Sequence, residues 1–143
     1  MNFKIKKLST DDERAFIVKY WLDSYKATSR IARMIAPKVF YKWHKKLVLS
    51  SLDKWNTILV VDESDPDLMI GFMNYTETKD AFYVNFILMK ESFRGFGLGR
   101  KMFNHAMEGT ALDKVLVLIH QGDLLGLSKG FKEVIFNPYI APN

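Results

Sequence analysis

The alternation of apolar and polar positions along the chain predicts both strands and helices. Lysines separate the apolar positions of residues 3–8, a pattern typical of a short first strand. The capping segment 9–13 then begins a helix that reaches about Tyr25, with apolar side chains near 3.6-residue spacing. Pro37 suits the first turn of a second helix, which extends to about Leu52.

The segment between these helices, residues 25–36, has no clear period and is left unassigned. After the second helix the pattern becomes that of strands, beginning with the apolar run 58–61. Residues 68–77 and 81–89 flank the polar turn 78–80, so we expect a long antiparallel hairpin.

The last third of the chain continues the alternation. A glycine-rich loop leads into a helix over 98–108, and the apolar run 115–119 predicts a buried strand with a parallel neighbour. A short helix-like segment, 123–128, precedes a last strand over 131–136. The sequence therefore predicts a single α/β (α+β) domain over residues 1–143, with a mixed, mostly antiparallel sheet flanked by helices.

Composition narrows the classes of protein. The 143 residues include no cysteine, which excludes disulfides, thiolate nucleophiles and cysteine-ligated zinc. No apolar run is long enough to span a bilayer, and the N-terminus has no apolar run of signal-peptide length. We expect a soluble, cytoplasmic protein without a membrane partner.

Charge is unevenly distributed around the net value of +5. Residues 1–55 carry 13 Lys/Arg and 5 Asp/Glu, whereas residues 56–143 carry 8 and 11. Lysines on the solvated faces of amphipathic helices account for such a bias. The alternative is a surface for nucleic acid or an acidic partner.

The most informative segment is a glycine loop between a strand and a helix. The apolar strand 85–89 leads to Gly95, Gly97 and Gly99, and an amphipathic helix begins at once. Glycines allow backbone N–H groups to converge on one point, and the helix N-terminus adds positive potential. This combination predicts a site for a phosphate or pyrophosphate.

The spacing of the loop separates it from two other phosphate loops. The chain lacks GxxxxGK[ST], and Arg100 stands where the dinucleotide fingerprint needs its third glycine. The pattern that fits is Arg-x-x-Gly-x-Gly, formed by Arg94, Gly97 and Gly99. In this loop, Arg94-Gly95-Phe96-Gly97-Leu98-Gly99, the chain resembles the acyl-CoA pyrophosphate loop of the GCN5-related N-acetyltransferase (GNAT) family.

The order of elements over nearly the whole chain is also similar to that family, and residues 21–24 and 137–139 look similar to small phage-encoded members. The resemblance implies transfer of an acetyl group from acetyl-CoA to an amine of a small molecule or protein. With no cysteine for an acyl-enzyme, direct transfer in a ternary complex is favoured.

The resemblance also implies which residues bind the cosubstrate. The backbone of Ile87, Leu88 and Met89 would bind the pantetheine arm like an added strand, and the Met89 amide would polarise the thioester carbonyl. The pyrophosphate would bind the amides of Arg94, Gly95, Phe96, Gly97, Leu98, Gly99 and Arg100.

The catalytic groups are less well indicated. The family often has a tyrosine acid before a Gly-Phe pair; here the pair is Gly130-Phe131, and Gly126 or Leu127 stands at the tyrosine position. Candidates for the base are His120, Tyr83 and Glu77. No metal site is expected, because the other histidines, at 44 and 105, lack partners at ligand spacing.

On the acceptor side, the candidates for specificity are Tyr25, Thr28, Ser29 and Arg30, which are polar and lie in or beside a predicted loop. An open last strand over residues 134–136 is compatible with a homodimer. Two alternatives remain: a catalytically silent GNAT-like protein that binds CoA or a partner, and a basic nucleic-acid-binding module.

Overall fold

The computed structural model of the chain describes residues 2–110, 113–121, 126 and 129–140. One six-stranded sheet lies at its centre, and its strands are neighbours in chain order. They are β1 (Phe3–Lys7), β2 (Asn56–Asp62), β3 (Asp65–Glu77), β4 (Ala81–Met89), β5 (Val115–Leu118) and β6 (Val134–Phe136). β1 to β4 pair antiparallel, whereas β4 with β5 and β5 with β6 pair parallel. The predicted mixed, mostly antiparallel sheet is confirmed.

In the described part of the chain, four α-helices flank the sheet: α1 (Asp11–Thr28), α2 (Arg30–Met34), α3 (Pro37–Lys54) and α4 (Leu98–Ala106). A short 3-10 helix spans Glu91–Phe93. α1 begins with a capping box, in which Thr10 and Glu13 each bond the other's backbone N–H. Pro37 occupies the first turn of α3, where its missing N–H is not needed. Within the described residues, no helix has the length and apolar character needed to span a bilayer.

The two faces of the sheet pack against different helices. Because side chains alternate along a strand, Ile58 and Val60 lie on one face and Leu59 and Val61 on the other. The first face packs against the apolar side of α4, and the second against α1 to α3. The candidate site lies at one edge of β4, between α4 on one face of the sheet and α1 to α3 on the other.

The element bounds differ from the sequence prediction in a few places. α2 forms within the segment left unassigned, because Ser29 caps it and the Lys26 ammonium donates to the carbonyls of Ala32 and Ile35. β3 begins at Asp65, three residues before the predicted strand 68–77, while α4 and β6 are shorter than predicted. The predicted helix-like segment 123–128 lies outside the described residues, apart from Gly126.

β4 and β5 diverge after a short parallel pairing, and this divergence creates the site. Their register spans only Ala81–Val84 of β4, although β4 continues to Met89. Against β3, Val84 pairs with Tyr75 and Phe86 with Asn74, so Asn85 is an extra residue that bulges the strand. Beyond the bulge, one edge of β4 faces open space.

Candidate functional site

A cavity of about 980 Å³ opens where β4 and β5 part. Its wall consists of the glycine loop, the edge of β4, the residues after β5, the end of α1 with the start of α2, and Phe136 with Pro138. This volume is at the upper end of the range for small-molecule sites, so the cavity can accept a large, elongated ligand.

The glycine loop forms one end of the cavity. Gly95 and Gly97 have φ of 89° and 73°, a left-handed conformation that other residues adopt at a cost. Gly97 is the N-cap of α4, so the amides of the first helical turn lack intrahelical partners and can bind an anion. Of the predicted loop residues, only Phe96 does not line the cavity; its side chain is 61% exposed.

Two arginines hold this end of the cavity together. Arg94 Nε donates to the Met89 carbonyl at 3.0 Å, which ties the loop back to β4. An Arg100 guanidinium nitrogen donates to the Gly126 carbonyl at 2.6 Å, which ties α4 to the segment before β6. Both arginines line the cavity, so their positive charge lies at the same end as the glycine loop.

The open edge of β4 carries a hydrogen-bond arrangement that the sequence does not indicate. The Ile87 N–H donates to Gln121 Oε1, and Gln121 Nε2 donates to the Ile87 carbonyl, both at 2.9 Å. Alternate residues of an antiparallel strand face the same way, so Met89 also directs its N–H toward the open side. Gln121 thus forms with Ile87 the hydrogen bonds that a neighbouring strand would form, but it does not do so with Met89.

His120 lies in the cavity wall, two residues after the end of β5. Its Nδ1 is 2.7 Å from Asn85 Oδ1 and 3.2 Å from the Asn85 carbonyl oxygen. Both neighbours are acceptors, so Nδ1 carries the proton and donates, which leaves the lone pair on Nε2. Burial lowers the pKa of His120 below 6.5, although the bond to Asn85 opposes this shift. The ring is therefore mainly neutral at pH 7.

A buried amide network fixes the orientation of Asn85. Asn85 Nδ2 donates to Ser51 Oγ at 3.1 Å and to Asn74 Oδ1 at 2.8 Å. Asn74 in turn donates to the Ser51 carbonyl and to Thr57 Oγ1. Because Asn85 Nδ2 is committed to these acceptors, its Oδ1 must face His120. The network holds His120 in one tautomer.

A stack of rings continues from His120 toward α3. Tyr25 lies edge-on to His120 at 5.4 Å between ring centroids and is parallel to His44 at 4.6 Å. His44 stacks in turn on Phe40 at 5.1 Å, and its buried Nε2 has no hydrogen-bond partner among the residues that the structure describes. Burial, with a smaller contribution from His120, lowers the pKa of His44 to about 4.

The other two predicted bases lie elsewhere. Tyr83 packs against Trp55 at 6.1 Å between ring centroids, and Glu77 forms an ion pair with Lys114 at 3.1 Å. Both are at the turn end of the β3–β4 hairpin, whereas the cavity opens at the other end of β4. Neither side chain lines the cavity, because strand alternation predicts the face of a residue but not its distance from the site.

Three solved structures share this architecture. A candidate acetyl transferase from Pyrococcus furiosus matches with a TM-score of 0.61 and 17% identity, over 97% of this chain and 84% of that one. PaiA N-acetyltransferase from Thermoplasma acidophilum, in complex with coenzyme A, matches with a TM-score of 0.55 and 16% identity, over 76% and 71%. The Escherichia coli ribosomal-protein-S18-alanine N-acetyltransferase matches with a TM-score of 0.51 and 16% identity, over 76% and 59%.

The chain has the GNAT fold. No protein-family model matches the sequence, and no curated protein matches it. The likeness to the GNAT fold therefore lies in the architecture, at sequence identities of 12–24%.

In this GNAT fold, the position expected for a tyrosine acid holds Gly126 or Leu127. Gly126 has φ of 62°, and its carbonyl accepts from Arg100. Leu127 lies outside the described residues. Gly126 has no side chain that could donate a proton.

The structure places three of the four acceptor candidates in the cavity wall and one outside it. Tyr25, Thr28 and Ser29 line the cavity together with Ser24, whereas Arg30 is exposed and outside its wall. Thr28 Oγ1 donates to the Ser24 carbonyl at 2.7 Å, and Ser29 Oγ accepts from the backbone of α2. These two hydroxyls therefore stabilise the α1–α2 junction.

Sequence reasoning missed both Gln121 and Asn85. Asn85 is 1% exposed within an otherwise apolar strand, and a buried polar residue of this kind indicates a specific partner. Gln121 directly follows His120 at the end of the buried strand, which is the only sequence signal for it.

Replacing His44 with phenylalanine is expected to reduce acid sensitivity. The fold keeps His44 neutral, so the unfolded chain binds one more proton between about pH 6.5 and 4, and stability is lost as pH falls through this window. One such histidine contributes at most about 1.4 kcal/mol per pH unit, and less here because the ring is partly exposed. His44→Phe keeps the stacking and should flatten the acid limb in urea unfolding at several pH values. Equal slopes in both proteins would contradict this assignment.

Proposed function

We propose that this protein is an acetyl-CoA-dependent N-acetyltransferase that moves the acetyl group directly to an amine. The observation that carries the proposal is one continuous cavity with an anion site at one end and a neutral histidine in its wall. The coenzyme A complex of PaiA supports the choice of cosubstrate, and the S18-alanine enzyme supports an amine acceptor.

At the anion end, the amides that begin α4 would bind the pyrophosphate. Gly95 and Gly97 turn the chain so that these amides face the cavity, and Arg94 and Arg100 add positive charge. The residues present therefore fit a diphosphate without a metal-binding side chain in the loop.

Along β4, the groups that face the cavity would bind the pantetheine arm. Bound acetyl-CoA supplies an acetyl group activated as a thioester. The Met89 N–H points to the open side of the strand, which supports its role as donor to the thioester carbonyl. Ile87 and Leu88 complete the wall along which the arm would lie.

The proton on the acceptor amine would pass to His120. Its Nε2 carries a lone pair, and the Asn85 network holds the ring in place. The amine nitrogen forms the new C–N bond, the C–S bond breaks, and the thiolate takes its proton from solvent. Because the chain has no cysteine, the proposal contains no cysteine acyl-enzyme.

Two measurements test the proposal. Calorimetry should detect binding of acetyl-CoA, and release of free thiol with a panel of amines and peptides should then detect transfer. Absence of binding at millimolar acetyl-CoA would overturn both the enzyme and the catalytically silent alternative. Binding without thiol release from any acceptor would favour the silent alternative.

Removing Gln121 is expected to strengthen binding of acetyl-CoA. Gln121→Ala exposes both hydrogen-bonding groups of Ile87, which the pantetheine arm can then use without first displacing a side chain. With roughly 1 kcal/mol for each bond, the Kd should fall about fivefold if one bond is regained and up to about 30-fold if both are. The free variant should also melt at a lower temperature than the parent. A weaker complex would instead mean that Gln121 contacts the ligand itself.

A homodimer and a cytoplasmic location also belong to the proposal. β6 is an edge strand, and its side chains at Val134, Ile135 and Phe136 are 40%, 41% and 60% exposed. Unpaired edge strands of this kind favour pairing with another chain. Light scattering with and without acetyl-CoA tests the dimer. The cytoplasmic location stays a prediction.

A further inference from the structure

An exposed surface of mixed apolar and basic character borders the cavity. Ile31 and Met34 on α2 are 74% and 83% exposed, and Val39 and Trp43 on α3 are 50% and 59% exposed. Val39 and Trp43 are four residues apart and share one face of α3. The α2–α3 surface consists of these four side chains and the exposed basic residues Arg30, Arg33, Lys38, Lys42, Lys45 and Lys46. Large exposed apolar side chains in such a cluster are typical of an interaction site.

The positive charge of this surface is not balanced by acidic residues in the same segment of the chain. Residues 24–52 contain seven Lys/Arg and no Asp or Glu. None of the six exposed basic residues forms an ion pair within the part of the chain that the structure describes. Lys42 and Lys46 lie over the Trp43 ring, at 5.4 and 4.3 Å from its centroid. The surface is therefore complementary to a partner that carries both negative charge and apolar groups.

The α2–α3 surface is continuous with the acceptor end of the cavity. Ile31 belongs to both, and Ser24, Tyr25 and Thr28 line the cavity just before α2 in the chain. A chain bound along α2 can therefore enter the cavity without crossing the sheet.

The acceptor end itself is uncharged. Among the described residues of the cavity wall there is no Asp or Glu, and the arginines, Arg94 and Arg100, belong to the glycine loop at the other end. An acceptor with several ammonium groups would find no counter-charge there. An acidic chain with a single amine could instead place that amine in the cavity while its carboxylates stay outside, against the α2–α3 surface.

We propose that the α2–α3 surface docks an acidic polypeptide with apolar side chains, whose amine enters the cavity as the acetyl acceptor. This proposal rests on the function proposed above. A polypeptide supplies the carboxylates, the apolar side chains and the aliphatic amine together. Nucleic acid lacks the aliphatic amine, and a flat lipid surface has no extended chain that could enter the cavity.

The test uses the full chain and short synthetic peptides of equal length with a free N-terminal amine. One series combines Asp and Glu with Leu, a second replaces the acids by Gln, and a third replaces them by Lys. Thiol release should give a kcat/KM for the acidic series at least about tenfold above the Gln series, and the difference should shrink as salt increases. No preference for the acidic series would overturn the proposal.

A charge-reversed variant tests the surface directly. Lys42→Glu with Lys46→Glu should reduce the preference for acidic peptides about tenfold and leave acetyl-CoA affinity unchanged. The matched control is Lys4→Glu with Lys79→Glu, which changes the net charge equally on β1 and the hairpin turn. An equal loss in both variants would overturn the assignment to the α2–α3 surface.

A binding assay separates this proposal from the proposed function. Fluorescence anisotropy of a labelled acidic peptide reports docking without turnover. Peptide binding that is lost in Lys42→Glu/Lys46→Glu supports the docking surface even where acetyl-CoA does not bind. Acetyl-CoA binding without a preference for acidic peptides would overturn the docking surface and leave the proposed function standing. Binding of duplex DNA or anionic vesicles in place of the peptide would overturn the docking proposal.

Discussion

Replacing Gly97 with glutamate is expected to weaken acetyl-CoA binding by at least about 100-fold. Gly97 begins α4 with a φ of 73°, so any side chain there adopts a strained backbone conformation. A carboxylate at this position would also lie beside the amides that would bind the pyrophosphate, and like charges repel. Calorimetry with acetyl-CoA measures the change.

The matched control for this variant is Gly109→Glu. Gly109 has a φ of 78°, and a Cβ there, as at Gly97, would meet no heavy atom within 4 Å. It follows the other end of α4 and does not line the cavity. The control should lose similar stability but retain acetyl-CoA binding. Equal binding by the Gly97 variant and the parent would show that the loop is not the anion site.

Replacing His120 with glutamine is expected to lower kcat by about 100-fold or more, because the proposed base is removed. Glutamine keeps a donor that can reach Asn85, so the buried amide network should remain intact. Acetyl-CoA affinity should change little, since the anion site lies at the other end of the cavity. Steady-state kinetics with the acceptor that gives the fastest thiol release measures the loss.

The pH dependence adds a second signature of His120. Since burial lowers its pKa below 6.5, the base is neutral and competent at pH 7 and is lost to protonation as pH falls through that lowered pKa. The parent should show this acid limb in kcat, and His120→Gln should not. The matched control is His105→Gln, an exposed histidine on α4 outside the cavity wall. A variant at 120 that keeps most of its activity would assign the base to another group.

Much of the fold could be predicted because it depends on local patterns. The β3–β4 hairpin has apolar strands on either side of a polar turn, and α1 and α3 have capping residues with a regular apolar period. The glycine loop could be located because Gly97 and Gly99 stand between a strand and a helix. Glycines at such positions directly indicate a loop whose backbone needs their conformational freedom.

The parts that could not be predicted depend on distant contacts. α2 is five residues long, and carbonyl contacts from Lys26 help to hold it, which no period indicates. Gln121 bonds Ile87 across 34 residues. Glu77 was a candidate base because its strand precedes the site, but its partner Lys114 lies 37 residues away. Side chains that find partners across the sheet leave no local signal.

The Gln121 bridge also shapes the energetics of a ligand that lies along β4. Ile87 is already satisfied in the free protein, so a ligand amide that displaces Gln121 exchanges hydrogen bonds there and gains little net enthalpy. Most of the heat of association would then arise at the start of α4, where amides meet phosphate charge. The segment of β4 around Ile87 would then contribute little to the affinity. Its length would set how far a reactive group of the ligand extends toward His120.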